Sequence, residues 1–303
     1  MSFASYFRRP ILSRRSEVVG TIRETWPEIV ERARRAGVSK AARAVLPESV
    51  SVLGESVKTE KGESIGVLTA VVYLSPSRES GAELCPNATP ACRAACLGHS
   101  SGRMRFDGAK NARLWKTVLY FGARGLFAEL LSHEITAHAR RAERLRLIPA
   151  VRIDGSSDTG FGEILARDFP SVQFYDYTKD ARRFFDGADT FGRLSPFQDG
   201  AYGAERARES YGAARPRRFA PNYTLVFSFT PDRELAARSV LSAGFSVAVV
   251  FRGALPATFL DVAVIDGDKT DARFLDARGR SVVVGLKLKG PKPRKNGAKG
   301  FAV

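Results

Sequence analysis

Seven short, nearly continuous apolar runs recur along the chain: "VLTAVVYL" (67–74), "LIPAVRI" (147–153), "VQFYDY" (172–177), "TLVFSF" (224–229), "VAVVF" (247–251), "VAVI" (262–265) and "VVVGLKL" (282–288). Between them, near 105–121, 122–146, 160–168, 198–213 and 231–243, apolar positions recur at helical spacing. Runs without polar alternation suit strands covered on both faces, as in a parallel sheet. Strands alternating with helices predict an α/β fold, and about seven of them predict a (β/α) barrel, complete or partial, ahead of an open doubly wound sheet.

Upstream the pattern differs. Residues 1–60 read as a basic, helical N-terminal extension with an amphipathic helix over "SEVVGTIRETWPEIVERARRAG" and a short helical piece "SKAARAVLP". The expected division is therefore 1–60 and a barrel-like domain 61–303. No apolar run reaches eighteen residues, and "MSFASYFRRPILSRRS" lacks an uninterrupted apolar core, so a soluble, cytoplasmic chain with no membrane partner is expected. The tail "GPKPRKNGAKG" reads as a loop.

Charge narrows the partners. The net charge is +16 and the basic residues come in clusters, among them "RARR" (32–35), "RRAERLR" (140–146), "RPRR" (215–218) and "KLKGPKPRK" (287–295). Such an excess favours a polyanion, a nucleic acid or a nucleotide. The plainer alternative is an arginine-rich composition covering a solvated surface. No known nucleic-acid recognition module is recognisable.

In either α/β architecture the reactive face lies at the carboxyl ends of the strands. The candidates there are Arg152, Asp154 and Asp158 at and just after the end of the second run, Asp176, Tyr177 and Lys179 at and just after the end of the third, and Asp268 and Asp271 after the sixth. Arg152 and Lys179 would hold anionic groups, and Asp158 or Asp176 would accept a proton or bind a hydroxyl. Each alone is equally at home in a turn or helix cap.

All three cysteines, Cys85, Cys92 and Cys96, fall within twelve residues of "ELCPNATPACRAACLGHSSGRMRF". Cys92 and Cys96 stand at i and i+4, on one face if helical, and Cys85 can return from a proline-bearing loop. Thiolates bind zinc and iron–sulfur clusters well. Three readings stand: a [4Fe–4S] cluster with one iron open, a Cys3His zinc site completed by His99, and three thiols without metal. "HEITAH" (133–138) misses the spacing of a zinc-protease helix, and neither a phosphate loop nor a nucleophile elbow occurs. His133 and His138 are expected on a solvated helix face.

Taken in order, "YLSPSRESGAELCPNATPACRAACL", "ARLWKT", "VRIDGSSD", "VQFYDYTK", "YTLVFSF", "VAVVF", "VIDGDKTDARFLDARG" and "GLKLKG" resemble the phage gene-product-88-like proteins over about residues 67–303. The resemblance implies a shared three-cysteine metal or iron–sulfur site. The order of elements is also distantly similar to radical S-adenosylmethionine enzymes, which implies S-adenosylmethionine as a further cofactor. Those enzymes usually space their cysteines three and two residues apart; here the gaps are six and three. The leading expectation is an iron–sulfur enzyme acting on a nucleotide or nucleic acid. The alternative is a DNA- or RNA-binding, replication-associated protein of a mobile element with a structural metal, in which Tyr175 or Tyr177 is a minor candidate for a DNA nucleophile.

Overall fold

The structure, a computed structural model, describes residues 14–54, 62–100, 102–186, 215–276, 280–289 and 300–303. The helix expected over 198–213 and most of the basic tail lie outside these residues. All seven apolar runs form strands: β2 (Val67–Val72), β3 (Ile148–Arg152), β4 (Gln173–Thr178), β7 (Tyr223–Ser228), β8 (Val247–Phe251), β10 (Val262–Asp266) and β11 (Val283–Lys287). Four two-residue strands were not legible as apolar runs: β1 (Leu53–Gly54), β5 (Phe185–Asp186), β6 (Arg215–Pro216) and β9 (Thr258–Phe259).

The strands other than β5 and β6 form one nine-stranded sheet in the order β1-β2-β3-β4-β7-β8-β11-β10-β9. β2 pairs parallel with β3 and β3 with β4; β7, β8, β11 and β10 also pair parallel in turn. The short outer strands β1 and β9 pair antiparallel with β2 and β10, so the sheet is mixed but mostly parallel. Closure into a barrel is not shown, because the order is linear and no pair joins β1 to β9 among the described residues. From β2 to β8 consecutive sheet strands are neighbours, an order that an open sheet and a barrel share. Their apolar runs therefore look alike in sequence.

Helices connect the strands: α1 (Arg15–Glu24), α2 (Trp26–Arg35), α3 (Pro90–Ala94), α4 (Leu97–Ser100), α5 (Asp107–Gly122), α6 (Arg124–Leu145), α7 (Gly162–Asp168) and α8 (Glu234–Ser242). The single N-terminal helix expected over 16–37 is broken at Thr25. Pro27, in the first turn of α2, has no N–H to donate and its ring opposes the carbonyl four residues back, so a new helix starts instead of the old one continuing. "SKAARAVLP" supplies only a 3-10 turn, Ala41–Arg43.

Contacts divide the chain into two compact units, Met1–Pro86 with Leu97–Asp176, and Asn87–Cys96 with Tyr177–Val303. In the first, every residue of β2 is buried and α6 packs on β1, β2 and β3. α1 runs against α6 and α2 against α5, burying Val18, Ile22, Ile29 and Ala33 almost completely. The helices of the expected extension thus belong to the first unit. In the second, Val226, Ala248, Val282 and Val284 form a cluster with Tyr177, Ile265 and Leu286 against it. Phe184 meets Phe219, Phe227 and Phe245 at ring separations of 5.1–6.3 Å.

Candidate functional site

The cysteine segment is built differently on its two sides. In the first unit the chain from Ser75 folds back on itself: Ser77 takes a positive φ of 47°, Leu84 donates its N–H to the Ser77 carbonyl at 3.0 Å, and the Ser77 N–H points to Cys85 Sγ at 3.3 Å. Cys85 also donates its own N–H to Glu83 at 2.8 Å. The Cys85 thiol in turn donates toward the Ser156 carbonyl at 3.9 Å, so the sulfur sits between a backbone N–H and a backbone C=O. In the second unit Thr89 caps α3, its hydroxyl accepting the Cys92 N–H at 3.1 Å. The helix stops at Ala94, so Cys92 and Cys96 do not share a face of one continuous α-helix as expected. Cys96 follows in a tighter turn, its N–H reaching the Arg93 carbonyl at 3.3 Å.

All three cysteines are half-buried and none is in a disulfide. Among the described residues no group of three or more His, Cys, Asp or Glu side chains is placed to hold a metal ion. His99 falls in α4.

The strand-end acids of the first unit are enclosed by donors. Asp154 is buried; its Oδ1 accepts the hydroxyls of Ser157 (2.7 Å) and Thr159 (2.8 Å) and the Thr159 N–H (3.0 Å), and its Oδ2 accepts the Gly160 N–H (2.9 Å). Asp176, equally buried, accepts the N–H groups of Ile153 (3.1 Å) and Asp154 (2.7 Å) on Oδ1. A Cβ at Gly162 would collide with its other oxygen. The two carboxylates thus shape the turn after β3 and fasten it to β4. Arg152 ends β3 half-buried, and the Asp158 N–H reaches the Leu84 carbonyl at 2.8 Å.

In the second unit Lys179 is buried, and its ammonium donates to the Ser228 carbonyl (2.9 Å) and hydroxyl (3.1 Å) and the Phe229 carbonyl (3.4 Å). The Phe301 ring lies 5.5 Å from the same nitrogen. Asp268 accepts the Lys287 N–H (3.1 Å) and the Lys289 ammonium (2.5 Å). Asp271 is half-buried and its carbonyl accepts the Arg273 N–H at 2.9 Å. Arg273 also pairs with Asp276 at 2.9 Å. Burial pushes the Asp276 carboxyl up to about 6, against the pull of Arg273 and with help from Asp271. Tyr177 packs on the core cluster, and Tyr175 is fully buried, so its hydroxyl cannot meet a polynucleotide in this fold.

Compared with known proteins, residues 50–303 match the family model described as Gene product 88. The chain belongs to the Gene product 88 family. No curated protein and no solved structure matches it. The distant likeness to radical S-adenosylmethionine enzymes therefore has no support in these comparisons. The family match begins at residue 50, inside the stretch expected to be an extension.

Two features of this family member escaped the sequence reading. His133 and His138 are not on a solvated face: His138 is buried, with Nε2 at 3.0 Å from the Leu68 carbonyl and 3.1 Å from that of Ala150, and His133 is half-buried. The correction follows from the spacing of Leu131, Ile135, His138 and Ala142, which puts His138 on the stripe that α6 turns toward the strands. The second feature is Arg113, from the "ARLWKT" block and 1% exposed. It grips Glu79 with two bonds (2.8 and 3.0 Å) and donates to the carbonyls of Gly98 (3.1 Å) and Met104 (2.9 Å). It thereby fixes the segment just after the cysteines to α5. Its signal was an arginine at helical spacing from Thr117 and Tyr120, on the inward side of α5.

Proposed function

We propose that this protein binds nucleic acid through its exposed cations. The observation that carries the reading is the excess of sixteen positive charges. Its clusters are largely solvent-facing where they are described: Arg32, Arg34 and Arg35 at the end of α2, Arg140, Arg141, Arg144 and Arg146 at the end of α6, and Lys287 and Lys289 after β11, with Arg34 and Arg35 paired to Glu31, Lys289 paired to Asp268 and Arg217 half-buried. The strand-end groups, by contrast, are engaged with protein donors and acceptors, and a reaction that used Asp154 or Lys179 would first have to break those bonds. Binding that rests on phosphate contacts is salt-dependent, because each contact releases condensed counterions. Fluorescence anisotropy with a generic duplex and a generic single strand is expected to show affinity at low salt that falls steeply as salt rises. No binding at low salt, or binding indifferent to salt, would sink the proposal.

The three thiols support a second reading, a thiolate-bound metal on Cys85, Cys92 and Cys96. It rests on the gathering of all three thiols within twelve residues of sequence and on their half-burial outside disulfides, and it stands against the absence of a metal-holding group of side chains among the described residues. A [4Fe–4S] cluster is the first candidate and zinc the alternative. Anaerobic purification followed by metal analysis distinguishes them: a brown protein with about four irons supports the cluster, one equivalent of zinc supports the other. A protein without either metal would remove this reading and leave the nucleic-acid proposal standing.

A further inference from the structure

A cavity of about 410 Å³ in the first unit is lined by Arg15 of α1, by Glu134, His138, Arg141 and Arg144 of α6 and by Ala70 of β2, together with the chain near β1. The four α6 residues recur at intervals of four, three and three, so one helix face supplies them all. The lining thus holds three guanidiniums and one carboxylate, and that carboxylate is already occupied. Glu134 accepts the N–H groups of Val52 (2.9 Å) and Leu53 (2.8 Å) on one oxygen and Arg15 (3.0 Å) on the other.

Arg15 uses only Nη2 in that pair and in its bond to the Val50 carbonyl at 2.6 Å. Its Nε and Nη1 have no partner among the described residues, and neither has Arg144. His138 adds no competing anion; its Nε2 lies between two carbonyl oxygens and is therefore the protonated nitrogen.

We infer that this cavity binds a phosphate-bearing ligand. The planar guanidinium fork matches phosphate oxygens in pairs, and the volume is that of a small-ligand pocket. The assignment does not depend on the ligand being a polynucleotide; a backbone phosphate and a free nucleotide offer the same chemistry.

Calorimetric titration of the full chain with pyrophosphate at low salt tests it. Both Arg141 and Arg144 are exposed, so the double substitution Arg141→Gln with Arg144→Gln should leave the fold intact. Arg140→Gln with Arg146→Gln removes the same charge from residues that do not line the cavity. The cavity pair should weaken pyrophosphate binding at least about tenfold, and the control pair by less than about twofold. Absence of pyrophosphate binding by the unaltered chain, or equal losses from the two pairs, would overturn the inference. A generic oligonucleotide then identifies the source. If it too is weakened more by the cavity pair, the phosphate belongs to a strand; if it is weakened equally by both pairs while pyrophosphate is not, the ligand is a free phosphorylated molecule. An unaltered chain that binds pyrophosphate but no oligonucleotide removes the nucleic-acid proposal and leaves the cavity assigned.

Discussion

Lys116 is an amine largely withdrawn from water, with no acceptor for its protons among the described residues. It is 7% exposed on α5, its Nζ is 5.7 Å from the Trp115 ring, and burial pulls its pKa down to about 8 despite the opposing charge of Glu134. Folding therefore disfavours the charged form, and the penalty is complete at pH 7, where the unfolded side chain is charged as well. As pH rises from about 8 toward the ordinary lysine value of about 10.4, the unfolded chain binds more protons than the folded one, and stability increases. Replacing Lys116 by Met keeps the length and removes the charge. The variant should be more stable than the parent by about 1–3 kcal/mol at pH 7, with the advantage shrinking by pH 10. Urea unfolding at the two pH values checks this; a less stable variant, or a difference that does not change with pH, would show that the amine has a role that burial alone does not describe.

Elements follow from how the apolar positions are spaced, and the close approach of α2 to α5 shows what the spacing leaves out. A Cβ at Gly122 would collide with the Ile29 carbonyl oxygen, a backbone atom that cannot swing aside. Gly122→Ala should therefore lower stability by about 1–3 kcal/mol, although alanine is the better helix former. An unchanged thermal midpoint would mean that the two helices separate at little cost. Nothing near Gly122 in sequence announces this contact, because Ile29 is distant along the chain. The seven main strands were legible for the opposite reason: each carries its own apolar run. The sheet's two outer strands were not, since Leu53–Gly54 and Thr258–Phe259 are too short for a period, and with them went the evidence on closure. The strand-end residues show the same division. The run pattern set Asp154, Asp176 and Lys179 near the carboxyl ends of β3 and β4, but that their charges are met by Thr159, Ile153 and Ser228 depends on turns and neighbouring strands that no local pattern encodes.

For the molecule as a whole, the unresolved contrast is between where the family match begins and where the fold begins. The match starts at residue 50. Yet α1 and α2, which precede it, bury Val18, Ile22, Ile29 and Ala33 at 0–2% exposure, and Arg15 holds both Glu134 and the Val50 carbonyl. Removing residues 1–49 would uncover the faces of α5 and α6 that these side chains cover. It would also leave Glu134 with backbone donors but no cation. Each buried aliphatic side chain contributes about 1.5–3 kcal/mol, so the loss of Val18, Ile22 and Ile29 alone is comparable to the whole net stability of an ordinary domain. A chain spanning 50–303 is therefore expected to aggregate or to unfold at much lower urea than the full chain, whereas one spanning 14–303 should keep the parent midpoint, since both helices remain. If 50–303 were soluble and unfolded at the parent midpoint, the N-terminal helices would be an accessory to the first unit and not part of its core. Charge sharpens the comparison. Residues 1–49 carry ten Lys and Arg against five Asp and Glu, about a third of the net excess of sixteen. A soluble 50–303 chain would thus also show how much of any salt-dependent affinity belongs to that region, because fewer phosphate contacts give a shallower dependence on salt.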